Sequence, residues 1–408
     1  MAKAIVLGSA GSVGRVCWLF LLQSGGFDQL VLADKREDVV RDLVRKTGAE
    51  GVEVRLVDAD DRSSLVSAMR DVDIVLNAVG PFYLYRPRIL EAAIEAGVNY
   101  VDVCDDYDAT VRMLEMHERA ESKGITALIG MGSSPGLSNI VVKLAAQKMF
   151  DEIDSVDILH VHGGEPHEGP AVILHRAHSM MIEIPVYIDG KIVYTHLESD
   201  FARQFEQEAE FPGLGRFPVY LYPHPETITL PRYIKVKRRI TNLGVVLPPE
   251  FPALIRTLVR AGLFSEEEVE VSGVKVKARD FAVAYVLKKR KELLEKYGPR
   301  EPVGSLAVVI EGARGSRRCR CTFYTTAHGM GMGDATGIPL GLGGIMVARG
   351  MIKAHGVFPP EAVIDPVEML KLAKEIVVTK LGRGVPVNVI EECDGERREY
   401  NLESVLGW

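Results

Sequence analysis

The sequence predicts an α/β chain in which an N-terminal doubly wound parallel sheet is followed by a second α+β domain with a largely antiparallel sheet. Three patterns carry that expectation. Apolar runs of strand length alternate with helix-length segments through residues 1–135. The first run leads straight into a glycine-rich turn, LGSAGSVGR (7–15). Beyond residue 150, alternating strands are joined by tight turns such as Asp189-Gly190 and Arg314-Gly315. At 408 residues, 47% hydrophobic and 26% charged, the chain has globular composition and is longer than one core usually serves. A net charge of −7 disfavours a polyanion such as nucleic acid. No apolar stretch approaches a membrane span, and the N-terminal apolar run is too short for a signal-peptide core, so a cytoplasmic protein is expected. The cysteines at 17, 104, 319, 321 and 393 are odd in number and scattered, which suits reduced thiols.

Taken in order, Lys3–Leu7 reads as a buried strand and Val13–Leu22 as a helix, with Gly8, Ser9, Ala10, Gly11, Ser12, Val13 and Gly14 at the junction. A dinucleotide pyrophosphate needs a tight turn, close backbone approach and a helix N-terminus whose free amides favour anions. The spacing here, GxxGxxG, has one residue more than the usual fingerprint. The next strand, Gln29–Ala33, supports the assignment by ending at Asp34, twenty residues past Gly14, where an acid is expected on the adenosine ribose. Asp34 favours NAD by repelling a 2′-phosphate, whereas Lys35 and Arg36 could embrace one. The expectation is NAD or NADP, with NAD preferred.

Four further strands are expected at Val52–Val57, Asp73–Asn77, Asn99–Val103 and Ile125–Ile129, making six in all. A ligand of such a Rossmann sheet lies over the strands' carboxyl ends. That rule selects Asp58, the loop Asn77, Ala78, Val79, Gly80 and Pro81 for the cofactor, then Cys104, Asp105 and Asp106, then Ser134, Pro135 and Gly136 for substrate. In the second half, hairpins are expected at 185–194 and 305–325, and helices at 251–263 and 283–297. GMGMGDATG (329–337) reads as a flexible crossing that returns a helix toward the first domain. The expected organisation is a dinucleotide domain at 1–135, a substrate and dimerisation domain at 136–335, and a returning segment at 336–408.

The motifs VLGSAGSVGR, NAVGPF, NYVDVCDD, PGLSN, HPETITLPRYI and ATGIPLGLGGIMVARG together resemble the saccharopine dehydrogenase family across nearly the whole chain. The resemblance implies a homodimer that oxidises or reduces carbon–nitrogen bonds of amino acids or derived imines with NAD or NADP. Where saccharopine reductases carry Asp-Pro-Gly and then Asp-His, this chain has Ser134-Pro135-Gly136 and Ser138-Asn139. In that loop it is more similar to lysine 6-dehydrogenases. The expected substrate is lysine- or saccharopine-like. Alternatives are a carboxynorspermidine-type polyamine precursor, or NAD(H) sensing without turnover.

Removing hydride from an amine carbon leaves a cationic iminium, which a carboxylate would stabilise, and the amine must first lose a proton. Asp105 is the preferred group for both tasks. Asp106 either assists or caps the helix expected near Tyr107. Cys104 either contacts the nicotinamide or packs as a small hydrophobe. Tyr83 and Tyr85 either orient substrate or pack between domains. Arg232, on an expected basic strand face with Lys235, Lys237, Arg238 and Arg239, is a candidate clamp for a substrate carboxylate. His160, His162, His167, His175 and His178 are concentrated. The first three could chelate zinc, but no recognisable ligand spacing completes a set, and no metal is expected.

Overall fold

The computed structural model describes residues 2–384 and 386–406. The chain opens with β1 (Lys3–Leu7), α1 (Ser12–Ser24), β2 (Gln29–Asp34), α2 (Glu37–Thr47), β3 (Val52–Leu56), α3 (Arg62–Met69), β4 (Ile74–Asn77), α4 (Phe82–Ala96) and β5 (Asn99–Asp102). It continues with α5 (Tyr107–Leu114), α6 (His117–Ser122), β6 (Thr126–Leu128) and α7 (Leu137–Lys148). The strands pair in parallel in the order β3-β2-β1-β4-β5-β6, so the reversal of direction at β1/β4 sets the ligand crevice above their carboxyl ends. Both faces of this sheet are covered, which is why β1 and β4 are buried along almost their whole length and read as continuous apolar runs.

A seventh strand, Gly356–Phe358, pairs in parallel with β6 and extends the six expected. Three residues are too few for a periodic signal. The segment expected to return as one piece is divided. Helix Met332–Ala348 and strand Gly356–Phe358 join the first layer, whereas strands Asn388–Cys393 and Glu396–Asn401 join the second sheet. The glycine-rich 329–337 stretch does return a helix to the first layer, and that helix already begins at Met332 within it. Its glycines allow a close helix approach. A Cβ at Gly337 would lie 2.7 Å from the Val13 carbonyl oxygen, and one at Gly341 would lie 2.5 Å from the Phe20 ring.

The second sheet has ten strands. Its centre is β7 (Glu152–Gly163), flanked in parallel by Val236–Leu247 and antiparallel by Val303–Arg314. The two expected hairpins are present as Ile184–Ile188 with Lys191–Thr195, and Val303–Arg314 with Arg317–His328. The two expected helices are present as Glu250–Arg260 and Ala278–Tyr297. Before the first hairpin lies α8 (Pro170–Met181), started by a proline at its first turn.

The expectation of five reduced thiols is corrected. Cys319 and Cys393 form a disulfide across adjacent antiparallel strands in which they are direct register partners, while Cys17, Cys104 and Cys321 are free and buried. Strand pairing joined two cysteines separated by 74 positions, a proximity that sequence spacing does not express. Among the described residues no helix is long and apolar enough to cross a membrane.

Candidate active site

The glycine loop has the shape a pyrophosphate requires. Gly8 takes φ +80°, and a Cβ there would press on the Ala78 carbonyl carbon at 2.9 Å. A Cβ at Gly14 would lie 2.2 Å from the Gly8 carbonyl oxygen, so Gly14 is needed for the turn to close. Gly11 caps α1 with no side-chain hydrogen bond and no acidic residue in the first turn, leaving an N-terminus suited to an anion. The buried Ser9 hydroxyl turns inward to Val6 O, and Ser12 is exposed at the first position of α1, with Val13 half-buried behind it. Asp34 closes β2, and its carboxylate accepts from the amides of Ala10 (3.0 Å) and Arg36 (2.9 Å). The Arg36 guanidinium, 57% exposed, stands 3.6 Å away, and the neighbouring Lys35 is exposed as well. These residues fit a dinucleotide. When bound, it would supply a nicotinamide able to accept or donate hydride.

Other expected cofactor residues serve the frame. Asn77 is fully buried and donates to Tyr100 Oη, while its side-chain oxygen accepts from Val79 N and bends the Ala78–Pro81 loop. Gly80 in that loop faces Ala171 of α8. Asp58 is exposed, and its carboxylate accepts from Asp60 N in its own turn.

Past β5 the polypeptide is held by the buried Asp102. It accepts from Cys104 N (3.0 Å) and Gly130 N (2.8 Å) on one oxygen and from Tyr100 Oη on the other (2.8 Å). This lock fixes the position of Asp105 and Asp106. Asp106 occupies the N-cap position of α5 without capping it. Its carboxylate instead accepts from Tyr83 N (2.7 Å) and lies 3.0 Å from His175 Nδ1, which settles the open capping alternative. Asp105 lies 3.6 Å from His175 Nε2, and its Oδ1 is buried without a hydrogen bond.

One imidazole from α8 thus bridges two carboxylates from the β5 edge. Burial alone would lower the His175 pKa, but Asp105 and Asp106 outweigh it and hold the ring well above its ordinary value. Burial raises the Asp105 carboxyl above the usual range despite the opposing His175, while the ring and the Tyr83 amide hold Asp106 below it against burial. Two neighbouring acids are thereby pushed in opposite directions, the pattern that separates proton-transfer roles. Alongside, Tyr83 stacks on His178 (3.8 Å between centroids), and His178 Nε2 lies 3.2 Å from Asp108. Asp105, Asp106 and His175 form one compact group of metal-ligand type and Asp106, Asp108 and His178 a second, each with its ligand-type atoms within 4.8 Å of one another.

Cys104 is fully buried, with Sγ 3.5 Å from Asp106 O, and burial pushes its thiol well above the ordinary value. That environment suits packing beneath the site. Tyr85 turns away to Asp60. Arg232 departs from its expected place, since it is exposed on helix Glu226–Tyr233 and not on the strand that carries Lys237, Arg238 and Arg239. The basic alternation that continues into the strand does not reach back to Arg232, where the chain is still helical. His160, His162 and His167 are not gathered: His160 bonds Asn242, His162 faces Glu165, and His167 is exposed.

The strand-six loop does meet the second domain. Ser134 donates to Glu226 Oε1, Ser138 donates to the same oxygen at 2.9 Å, and Asn139 Nδ2 donates to Glu361 Oε2 at 2.9 Å. Gly136, at φ +123°, packs against Gly132, and Pro135 stands against Gly130. The buried Glu361 carboxyl is pushed up to about 7. Sequence reading missed His175 as a site residue, and with it His224, Glu226 and Glu361. The three-residue spacing of His175 and His178 behind a proline-started helix places both on one face and was the available signal.

Residues 4–128 match the model of the saccharopine dehydrogenase NADP binding domain, and residues 132–378 match that of the saccharopine dehydrogenase C-terminal domain. The chain belongs to the saccharopine dehydrogenase family. This family member is an NAD(P)-dependent oxidoreductase of the saccharopine dehydrogenase-like type. It is 25% identical to the carboxyaminopropylagmatine dehydrogenase of Synechocystis sp. over 90% of this chain and 94% of the relative. It is 31% identical to the carboxynorspermidine synthase of Vibrio cholerae over 47% of this chain and 49% of that one. Apo histidine-tagged saccharopine dehydrogenase (L-Glu forming) from Saccharomyces cerevisiae shares the fold, with a TM-score of 0.66 at 16% identity, covering 96% of this chain and 100% of that one.

Proposed function

We propose that this oxidoreductase acts on the carbon–nitrogen bond of a carboxylated polyamine precursor, as the names of its relatives indicate, and that Asp105, Asp106 and His175 are its proton-handling groups. The observation that carries the reading is the His175 bridge between the half-buried Asp105 and the buried Asp106 at the carboxyl end of β5. Asp105, with its open Oδ1, faces a cationic nitrogen and accepts its proton in the oxidative direction. Until it takes that proton, the same carboxylate attracts the cationic nitrogen. In the reductive direction the protonated Asp105 returns that proton to the nitrogen, and His175, as imidazolium, holds Asp105 in place and reprotonates it. Asp106 is the ionised partner that keeps the ring protonated. Ser134, Pro135 and Gly136 shape the substrate side, and Tyr83 holds Asp106 through its amide. A lysine-like amino acid remains the second reading, favoured by the Ser134-Pro135-Gly136 loop sequence. The test is a screen of carboxylated polyamines, lysine and saccharopine for substrate-dependent absorbance change at 340 nm. Turnover of lysine or saccharopine alone would overturn the polyamine assignment.

The pH profile gives a second check. In the reductive direction kcat/KM falls as pH rises through the His175 pKa, because the imidazolium is what reprotonates Asp105. Asp106→Asn removes a carboxylate that raises this pKa, so the alkaline limb should move to lower pH by about one unit or more. An unmoved limb would remove His175 from the proton path.

For the cofactor, NAD is the preferred reading, because the Asp34 carboxylate closes β2 where the ribose hydroxyls would lie and repels a 2′-phosphate. Titrating the apoprotein with NADH and NADPH should give tighter NADH binding. Tighter NADPH binding that Asp34→Ala leaves unchanged would reverse the assignment.

A further inference from the structure

Glu168 lies in the loop that joins β7 to α8, and it closes a cluster of buried charges. Its Oε1 accepts from Arg176 Nη2 (2.7 Å), its Oε2 accepts from Arg176 Nη1 (3.0 Å), and Arg290 Nε lies 2.9 Å from the same Oε2. The side chains of Glu168, Arg176 and Arg290 are 7%, 4% and 7% exposed. The two guanidinium groups stand over the Phe251 ring, 5.0 Å and 5.8 Å from its centroid. Arg290 Nη2 also donates to Glu165 O, so helix Ala278–Tyr297 grips the loop at two of its residues. A buried ion cluster seldom stabilises a core more than apolar side chains of equal volume, but it accepts one geometry.

What the cluster holds is α8. Arg176 and His175 are consecutive, so they point about 100° apart around the helix axis. Arg176 turns to helices Glu250–Arg260 and Ala278–Tyr297, through Phe251 and through Glu168. His175 turns to the end of β5, with Asp106 at 3.0 Å, Asp105 at 3.6 Å and the Phe82 ring at 6.0 Å, while Tyr222 acts on it electrostatically. Ile173 and Ala177 of α8 pack into the same apolar cluster as Phe251, a contact that leaves the rotation of the helix weakly specified. In a helix whose side chains reach about 5–6 Å from the axis, a turn of about 10° moves their tips by about 1 Å. A misplacement of that size can cost about 100-fold in rate.

We infer that Glu168 is a positioning residue for His175: by gripping Arg176 and Arg290 at once it fixes the rotation of α8, and with it the reach of His175 to Asp105 and Asp106. It takes no part in proton transfer itself, and its role rests on the reading of His175 given above.

The test is an NMR titration of His175 in the full-length protein labelled at the histidine ring carbons, its resonance assigned by loss in His175→Gln. Arg176→Lys keeps the charge but loses the planar two-armed bond to Glu168. Direct electrostatics would then leave His175 unmoved, whereas a released α8 draws the ring away from both carboxylates. The expected result is a His175 pKa lower by about one unit or more, with kcat down about tenfold or more and cofactor affinity unchanged. Arg176→Met removes a positive charge, which acting directly would raise the His175 pKa, yet the expected shift is again downward. Glu168→Gln, which weakens both arms, should move the ring the same way. Should the Arg176 variants fail to fold, Arg290→Lys repeats the charge-conserving test from the other arm of the cluster. An unmoved titration in the lysine variants, or an upward shift in Arg176→Met, would overturn the inference even where the melting temperature falls, because the cluster would then serve stability alone. The titration needs no turnover, so downward shifts in a protein inactive on every amine would refute the catalytic reading and leave the positioning role standing.

Discussion

Asp105→Asn is expected to lower turnover by about 100-fold or more, the range for loss of a general acid or base, while cofactor affinity and melting behaviour stay near those of the wild type. The asparagine is isosteric, and Asp105 makes no hydrogen bond to the frame through Oδ1, so little of the fold depends on its charge. Asp102, which ties Cys104 and Gly130 together, is left intact. What is lost is the anion facing the nitrogen and the acceptor for its proton. Steady-state rates and cofactor titrations on Asp105→Asn and Asp106→Asn separate the roles. Asp106→Asn should retain more activity and shift the pH profile. A normal rate for Asp105→Asn beside an inactive Asp106→Asn would exchange the two assignments, and activity in both would move the proton acceptor into the second domain.

Gly11→Val should abolish dinucleotide binding, with far-UV circular dichroism nearly unchanged. The position separates ligand space from protein space. A Cβ at Gly11 would meet only the Gly8 carbonyl oxygen, at 3.2 Å, a contact relieved by a shift of a few tenths of an ångström. The branched side chain would then occupy the mouth of α1, where the pyrophosphate must approach the backbone. Gly14 differs, because its Cβ would overlap the Gly8 carbonyl and disturb the turn itself. Cofactor titration followed by fluorescence checks the prediction, and retained affinity would place the cradle elsewhere.

The first sheet was legible because each element carries a local signal. Strands such as Ile74–Asn77 are unbroken apolar runs ending in turn residues, and the glycines and Asp34 have a spacing set by one strand–helix–strand unit. Asp105 and Asp106 followed from the strand-end rule. Their partner did not, because His175 arrives from α8, some seventy residues later, and nothing in the spacing of one segment encodes the approach of another. Glu226 and Glu361 were hidden for the same reason, since the Ser134–Asn139 loop meets them only through tertiary packing. Arg232 was misplaced by the opposite error, in which a local basic pattern was extended across the end of a helix.

The helix Met332–Ala348, seated on α1 and β4, makes the order of synthesis matter. The nascent chain releases Val13, Phe20 and Leu76 early, yet the surface that covers them is made roughly 270–320 residues later. At bacterial-to-eukaryotic elongation rates that interval is about 13–65 s, long compared with the folding of a small domain. Throughout it the half-sheet carries a bare apolar face that invites a chaperone or a neighbouring nascent chain. The last fifth of the polypeptide therefore acts on the first quarter as a delayed closure, and a ribosome that stalls before residue 332 leaves an N-terminal half unable to bury its own core.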